Sequence, residues 1–285
     1  MNITVTLQKA INYMEDHLLD GTNYEQVANH LYMSNYHFHR LFSMIVGMSP
    51  SEYMRSRRLS LAGEEVILGN RKVVDIAFDY GYNTPESFSK AFTRFHGISP
   101  IIARRAGGEL NLFNPLQIKL TLEGGKKMDY RIEKREPFKL IATIRQFDQE
   151  ITDQEGNTDI PDFWQKSIAD QLLVKLKEVS GSGNLYGVCG PVEKTSKNFR
   201  YGIGSDYSEG AYPEGLEIWE VKPTLWAVFK CIGETPDCIG DTWNRIFTEF
   251  LPTTDYEMLD DTDFEFYPEN GEPGVFCEIW IPVGE

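Results

Sequence analysis

"FHRLFSMIVGMSP" at residues 38–50 and "FSKAFTRFHGISP" at 88–100 carry one plan, fifty positions apart. Phe38/Phe88, Phe42/Phe92, Gly47/Gly97, Ser49/Ser99 and Pro50/Pro100 are identical, and Arg40/Lys90 keep a positive charge. The shared positions are structural punctuation. Glycine accepts the left-handed conformation that ends a helix. Serine can cap the next helix, with proline at its first position. Gly-x-Ser-Pro therefore reads as stop, turn, start, and its recurrence implies a duplicated helical unit.

Upstream of each joint the pattern is a short helix, a tight turn and a longer helix. In the first unit the spacing predicts helices over about 24–31 and 35–46. Asn23 and Gln26 are placed for a capping box, Ser34 for a second cap, and Ser49 with Glu52 for another box. In the second unit it predicts helices over about 73–79 and 85–95, with Gly81 between them and Thr84–Pro85 at the second start. This is the helix-turn-helix pattern. Phe38, Leu41, Phe42 and Ile45 form one apolar stripe, and Phe88, Ala91, Phe92 and Phe95 form its counterpart. The opposite faces carry Tyr36, His39 and Arg40, then Glu86, Ser89 and Lys90, side chains suited to base edges and phosphates. A long helix ending at Gly69 would space the two units, so that one chain could read major-groove segments about 34 Å apart. Arg57 and Arg58 within it read as solvated or salt-bridged.

Charge divides the chain in the same way. Of 28 basic and 43 acidic residues, 11 of each fall in residues 1–110, so the whole net charge of −15 belongs to the remainder. An acidic half repels nucleic acid, which leaves the N-terminal part to bind DNA. His37 and His39 are two apart, the wrong helical spacing for a shared metal. Cys189, Cys231, Cys238 and Cys277 make no CxxC pair and read as free thiols. No P-loop, nucleophile elbow or metal motif is visible, so no cofactor is expected. The start lacks a basic n-region and an apolar h-region, and no run has the length of a membrane helix, so a cytoplasmic location without membrane contact is expected.

Beyond a linker at 108–127, which holds an alternating stretch at 117–122, the apolar period changes to that of strands. "FKLIATIRQF" and "LWAVFKCIG" are each followed by a helix, over about 161–179 and 237–251, and then by two further strand-like stretches. Strand, helix, strand, strand occurs twice, which implies an α+β domain of two packed halves with a cleft between them. In the last strand Phe276, Glu278 and Trp280 alternate onto one face. By alternation alone that face is simply exposed, or Glu278 pairs with an internal arginine. A carboxylate between aromatics would also receive an organic cation.

"GYNTPESFSKAFTRFHGISP" at 81–100 closely resembles the signature of the AraC/XylS family of bacterial transcription regulators. The resemblance covers residues 1–107 and implies that helices 35–46 and 85–96 read double-stranded DNA. Tyr36, His39, Arg40, Glu86, Ser89 and Lys90 align with the family's DNA-contacting positions. "PDFW" at 161–164, "LYGV" at 185–188 and "EIWIPV" at 278–283 resemble GyrI-like effector-binding domains over about 128–285. That resemblance implies a ligand pocket at Glu278, with Trp280, Phe276, Trp164, Tyr186 and Trp219 as further candidates. The effector would be a cationic or amphipathic small molecule, and its signal would pass through domain orientation or contact with RNA polymerase. The resulting expectation is a non-enzymatic, ligand-responsive regulator. The alternatives are a GyrI-like hydrolase activity in the second domain and a protein-inhibitor role of its acidic surface. In gel-shift measurements a fragment of residues 1–107 is expected to retard duplex DNA and a fragment of 120–285 is not. Binding by the second fragment alone would reverse the assignment.

Overall fold

The computed structural model describes residues 3–106, 109–118, 128–152, 158–192, 196–207 and 209–284. Seven helices come first: α1 (Ile3–Asp16), α2 (Tyr24–His30), α3 (Asn35–Val46), α4 (Pro50–Leu68), α5 (Val73–Asp79), α6 (Pro85–His96) and α7 (Pro100–Ala106). Their ends follow the local chemistry. The Asn23 side chain accepts from Gln26 N and the Gln26 side chain from Asn23 N, a complete capping box. Ser34, Ser49 and Thr84 accept from the backbone N–H three residues on. Among the described residues Ser49 and Glu52 form only that half of a box. Gly47 and Gly97 close α3 and α6 at φ 78°, a conformation that other residues adopt only at a cost.

By contacts the chain forms two compact units. The helical unit comprises Thr4–Tyr32 and the chain from Met48 to residue 118. In it Leu59, Ala62 and Val66 of α4 pack against Ile76, Tyr80, Phe88 and Phe92, so the second apolar stripe is core. Arg57 is buried. Its guanidinium donates to Glu15 at 2.8 and 2.9 Å and to the Phe113 carbonyl, while Tyr53 Oη donates to the same carboxylate at 2.6 Å. Arg58 donates to the carbonyls of Leu18 and Thr22. Both arginines tie α4 to its surroundings.

The sheet unit holds Met33–Gly47, and hence α3, together with the described residues from 128 onward. The sequence division, which assigns 35–46 to the first 107 residues, is therefore not the division by contacts, because side chains of α3 bond to the sheet. The linker stretch 117–122 lies outside the described residues from 119 on.

The sheet unit contains β1 (Tyr130–Arg135), β2 (Phe138–Asp148), α8 (Gln149–Thr152), α9 (Asp159–Ala169), α10 (Leu172–Ser180), β3 (Leu185–Pro191) and β4 (Asn198–Asp206). Then follow β5 (Glu217–Val221), β6 (Thr224–Ile232), α11 (Asp237–Arg245) with a π-helical turn at Ile246–Phe250, β7 (Glu257–Met258), β8 (Asp263–Tyr267) and β9 (Val275–Gly284). All pairings are antiparallel, in the order β1-β6-β9-β8-β3-β4-β2-β5, with β7 beside β9. The run strand, helix, strand, strand occurs as β2, α9–α10, β3, β4 and again as β6, α11, β8, β9. The two runs meet at the β3–β8 pair. Each is preceded by a short strand that crosses to the other: β1 leads into β2 but pairs with β6, and β5 leads into β6 but pairs with β2. The single helix expected over 161–179 is two, because Gln171 takes a left-handed conformation between α9 and α10. No described helix is long and apolar enough to cross a membrane.

Removing one partner of a buried, multiply bonded ion pair strands the other charge. Arg57→Ala is expected to cost about 3–5 kcal/mol of stability, measured by urea denaturation.

Candidate effector-binding site

Alternation along β8 sends Asp263, Glu265 and Tyr267 to one face of the sheet and Phe264 and Phe266 to the other. Phe264 and Phe266 join Tyr186, Trp226 and Trp280 in an apolar layer. The acidic face is the one covered by α3, α9 and α10. It shares its core with Ile141, Phe163, Leu176, Phe199 and Tyr201.

Glu265 lies at the seam between the two runs, opposite Gly187 of β3. Tyr201 Oη donates to Glu265 Oε2 at 2.8 Å, and Tyr267 Oη donates to the same oxygen at 3.2 Å. Trp164 Nε1 in turn donates to Tyr201 Oη at 2.9 Å. The Trp164 ring meets Tyr267 edge-on at 5.4 Å, and Tyr267 meets Phe276 at 5.9 Å. Gly187 makes this possible: a Cβ there would stand 2.3 Å from Tyr201 Oη and 2.4 Å from Glu265 Oε2. Among the described residues no cation forms an ion pair with Glu265. Burial pushes its carboxyl up to about 7, against the opposing pull of the Tyr201 hydrogen bond. The same burial holds the Tyr201 and Tyr267 hydroxyls well above the ordinary phenol range, so both remain donors.

The neighbouring carboxylate has a cation. Asp263, buried at 2% exposure, accepts from Arg40 Nη1 of α3 at 2.8 Å. The guanidinium stacks over Trp243 of α11 at 3.8 Å and donates to Tyr36 Oη at 2.7 Å. Tyr36 Oη lies 2.8 Å from Cys189 Sγ, and its ring packs against Phe199. At the start of α3, Ser34 Oγ donates to Asp260 at 2.8 Å, and His37 Nδ1 lies 2.6 Å from the same oxygen.

The residues singled out from the sequence thus separate. Tyr36, His39 and Arg40 are buried or nearly so, whereas Glu86 and Lys90 on α6 are exposed and Ser89 is half-buried. Trp164 and Phe276 reach the surroundings of Glu265. Glu278 does not: it faces the other side of the sheet, where Arg131 grips it with both nitrogens at 2.8 and 2.7 Å. Its charge is neutralised within the chain, so it is not the open carboxylate that the resemblance implies. Trp280 is buried on the same side, stacked on Phe264. Tyr186 donates to Asp206, and Trp219 donates to Thr262 beneath the Arg200 guanidinium. Glu265, Asp263, Tyr267 and Gly187 escaped the sequence reading. Their signal is "DFEFY" at 263–267, a strand whose acids occupy one face and whose phenylalanines occupy the other.

The chain thus joins a duplicated antiparallel sheet, with a half-buried carboxylate among aromatic rings, to two helix-turn-helix units. The chain belongs to the family of integron-associated effector binding proteins, whose model matches residues 131–283. A helix-turn-helix domain model matches residues 27–106, and this part is of AraC type. The uncharacterized HTH-type transcriptional regulator YbfP of Bacillus subtilis is 35% identical over 94 residues, 33% of this chain and 32% of its own. The HTH-type transcriptional activator AarP of Providencia stuartii is 34% identical over 98 residues, 34% of this chain and 73% of its own. The chain thus spans about a third of the length of the first relative and about three quarters of the second. The solved structure of SAV2435 bound to tetraphenylphosphonium is 16% identical with a TM-score of 0.47, covering 55% of this chain and 94% of that one.

A carboxyl whose folded-state value is raised binds its proton more tightly when folded. Its contribution to stability is complete below the unfolded value, near 4.5, and is lost as pH rises to about 7. Glu265→Gln removes that loss. The variant is expected to gain on the wild-type protein by roughly 2 kcal/mol between pH 5 and pH 8, read from urea denaturation at both values.

Proposed function

We propose that the protein is a transcription regulator whose sheet unit binds a flat, lipophilic organic cation at Glu265 and whose helix-turn-helix units read DNA in response. One observation carries this reading: a half-buried carboxylate without an ion-pair partner among the described residues, beside Trp164, Tyr201, Tyr267 and Phe276. Burying an ionisable group without a counter-charge is costly. A ligand that brings the positive charge recovers that cost, and the rings add cation–π attraction of about 0.5–2 kcal/mol per contact. Glu86, Ser89 and Lys90, on the open face of α6, contact DNA directly. The name of AarP, a transcriptional activator, supports the DNA-reading role.

The same geometry suits a second reading. A tyrosine bonded to a half-buried glutamate is the pairing that a hydrolase of this sheet type would use, with Glu265 as general base. We favour binding without turnover, because the sheet is joined to a DNA-reading part. Hydrolysis of cationic esters by the purified chain would favour the rival.

Calorimetric titration with a panel of cationic dyes tests the proposal. The wild-type protein is expected to bind, Glu265→Gln to lose at least about ten-fold in affinity, and Glu278→Gln to match the wild type. Cation binding favours the ionised carboxylate, so affinity rises with pH up to about 7 and then levels, with protons released on binding near neutrality. Equal affinity of wild type and Glu265→Gln would reject Glu265 as the recognising group.

A further inference from the structure

Helix α3 has an unusual position for a DNA-reading element. Tyr36, at 3% exposure, and His39, at 0%, are out of reach of a base pair, and Arg40 is committed to Asp263 and Trp243. Helix α6, built on the same sequence plan, keeps Glu86 and Lys90 in solvent. Polar bonds that hold α3 include Arg40 to Asp263, Tyr36 to Cys189, Ser34 and His37 to Asp260, and Gln149 Nε2 donating to the Tyr36 carbonyl at 2.9 Å, beside the packing of the Tyr36 ring into the core of the sheet unit.

The Arg40 end of this contact has the form of a ligand complex. A flat, delocalised cation lies on an indole at 3.8 Å and meets a buried carboxylate at 2.8 Å. These are the interactions by which a protein recognises an aromatic cation. Asp263 and Glu265 stand two residues apart on one face of β8, so one guanidinium serves a pair of carboxylates. Its field already lowers the proton affinity of Glu265. A second cation at Glu265 would therefore meet Arg40 as a like charge in a partly buried site, where such repulsion is stronger than in water.

We propose that Asp263 and Trp243 form a second cation subsite, held in the ligand-free chain by Arg40 as a built-in ligand, and that an organic cation entering at Glu265 displaces Arg40 and frees the DNA-reading face of α3. The inference rests on the reading of Glu265 as the effector carboxylate. It makes one residue serve two partners in alternation: Arg40 satisfies Asp263 while the regulator is unliganded and faces DNA when the cation takes its place. By linkage, DNA that captures the released helix tightens the binding of the cation by the same factor.

Hydrogen–deuterium exchange on the full-length chain reads α3 directly. Saturating crystal violet, with binding verified by calorimetry, is expected to speed amide exchange across residues 35–46 by roughly ten-fold, as for a helix passing from a docked to an undocked state. Asp263→Asn is expected to do the same without dye. Arg40→Met, which removes the cation from the other side of the pair, serves as the second variant should Asp263→Asn fail to fold. Unchanged exchange over 35–46 in a folded variant overturns the proposal. If the variants loosen α3 while bound dye leaves it unchanged, Arg40 is a structural anchor and displacement is overturned. If no dye binds the wild-type protein, the reading of Glu265 falls, and exchange in the variants still decides whether Arg40 holds the helix.

Discussion

Two carboxylates on one buried strand face set the terms for the sheet unit. Strand β8 could have carried apolar residues at positions 263 and 265, as its neighbour β9 does with Ile279 opposite Glu265. It carries acids instead, and each imposes a demand on its surroundings. Asp263 is met by a guanidinium from α3, which draws that helix to the sheet. Among the described residues Glu265 accepts from the hydroxyls of Tyr201 and Tyr267, and these need Gly187 and Trp164 where they are. The difference between the two acids is the difference between a satisfied site and a receptive one.

The helical part was legible in the sequence because its determinants are local. A glycine, a cap and a proline specify each joint within four residues, and the structure places the caps at Asn23, Ser34, Ser49 and Thr84 where the spacing puts them. The long apolar strands were legible for a similar reason. β1 and β5 were not: "YRIEKR" is dominated by charge and "EIWEV" is short, and both become strands by pairing with residues some eighty to a hundred positions away.

The site was half legible. The aromatic density and the need for a carboxylate showed in the composition, and Trp164 and Phe276 lie near the acid that matters. The choice between "CEIWI" and "DFEFY" could not be made locally, since each sets an acid among aromatics. It is settled by which face the helices cover and by Arg131, a residue 147 positions from Glu278 that neutralises it. The burial of Tyr36 and Arg40 is less legible still. An exposed polar face on a short helix looks the same whether it meets water, DNA or a sheet, and the bond from Arg40 to Asp263 spans 223 positions.

The exchanged strands β1 and β5 have a mechanical consequence. Each run is clasped by the leading strand of the other, so neither can peel away without tearing hydrogen-bonded ladders on both sides of the seam. The seam therefore behaves as a rivet rather than a hinge, and it is where Glu265 sits. A guest arriving there finds walls that do not spread to admit it. A change introduced at the centre can still travel along β8 to Asp263, and from there through Arg40 into the helix that carries it.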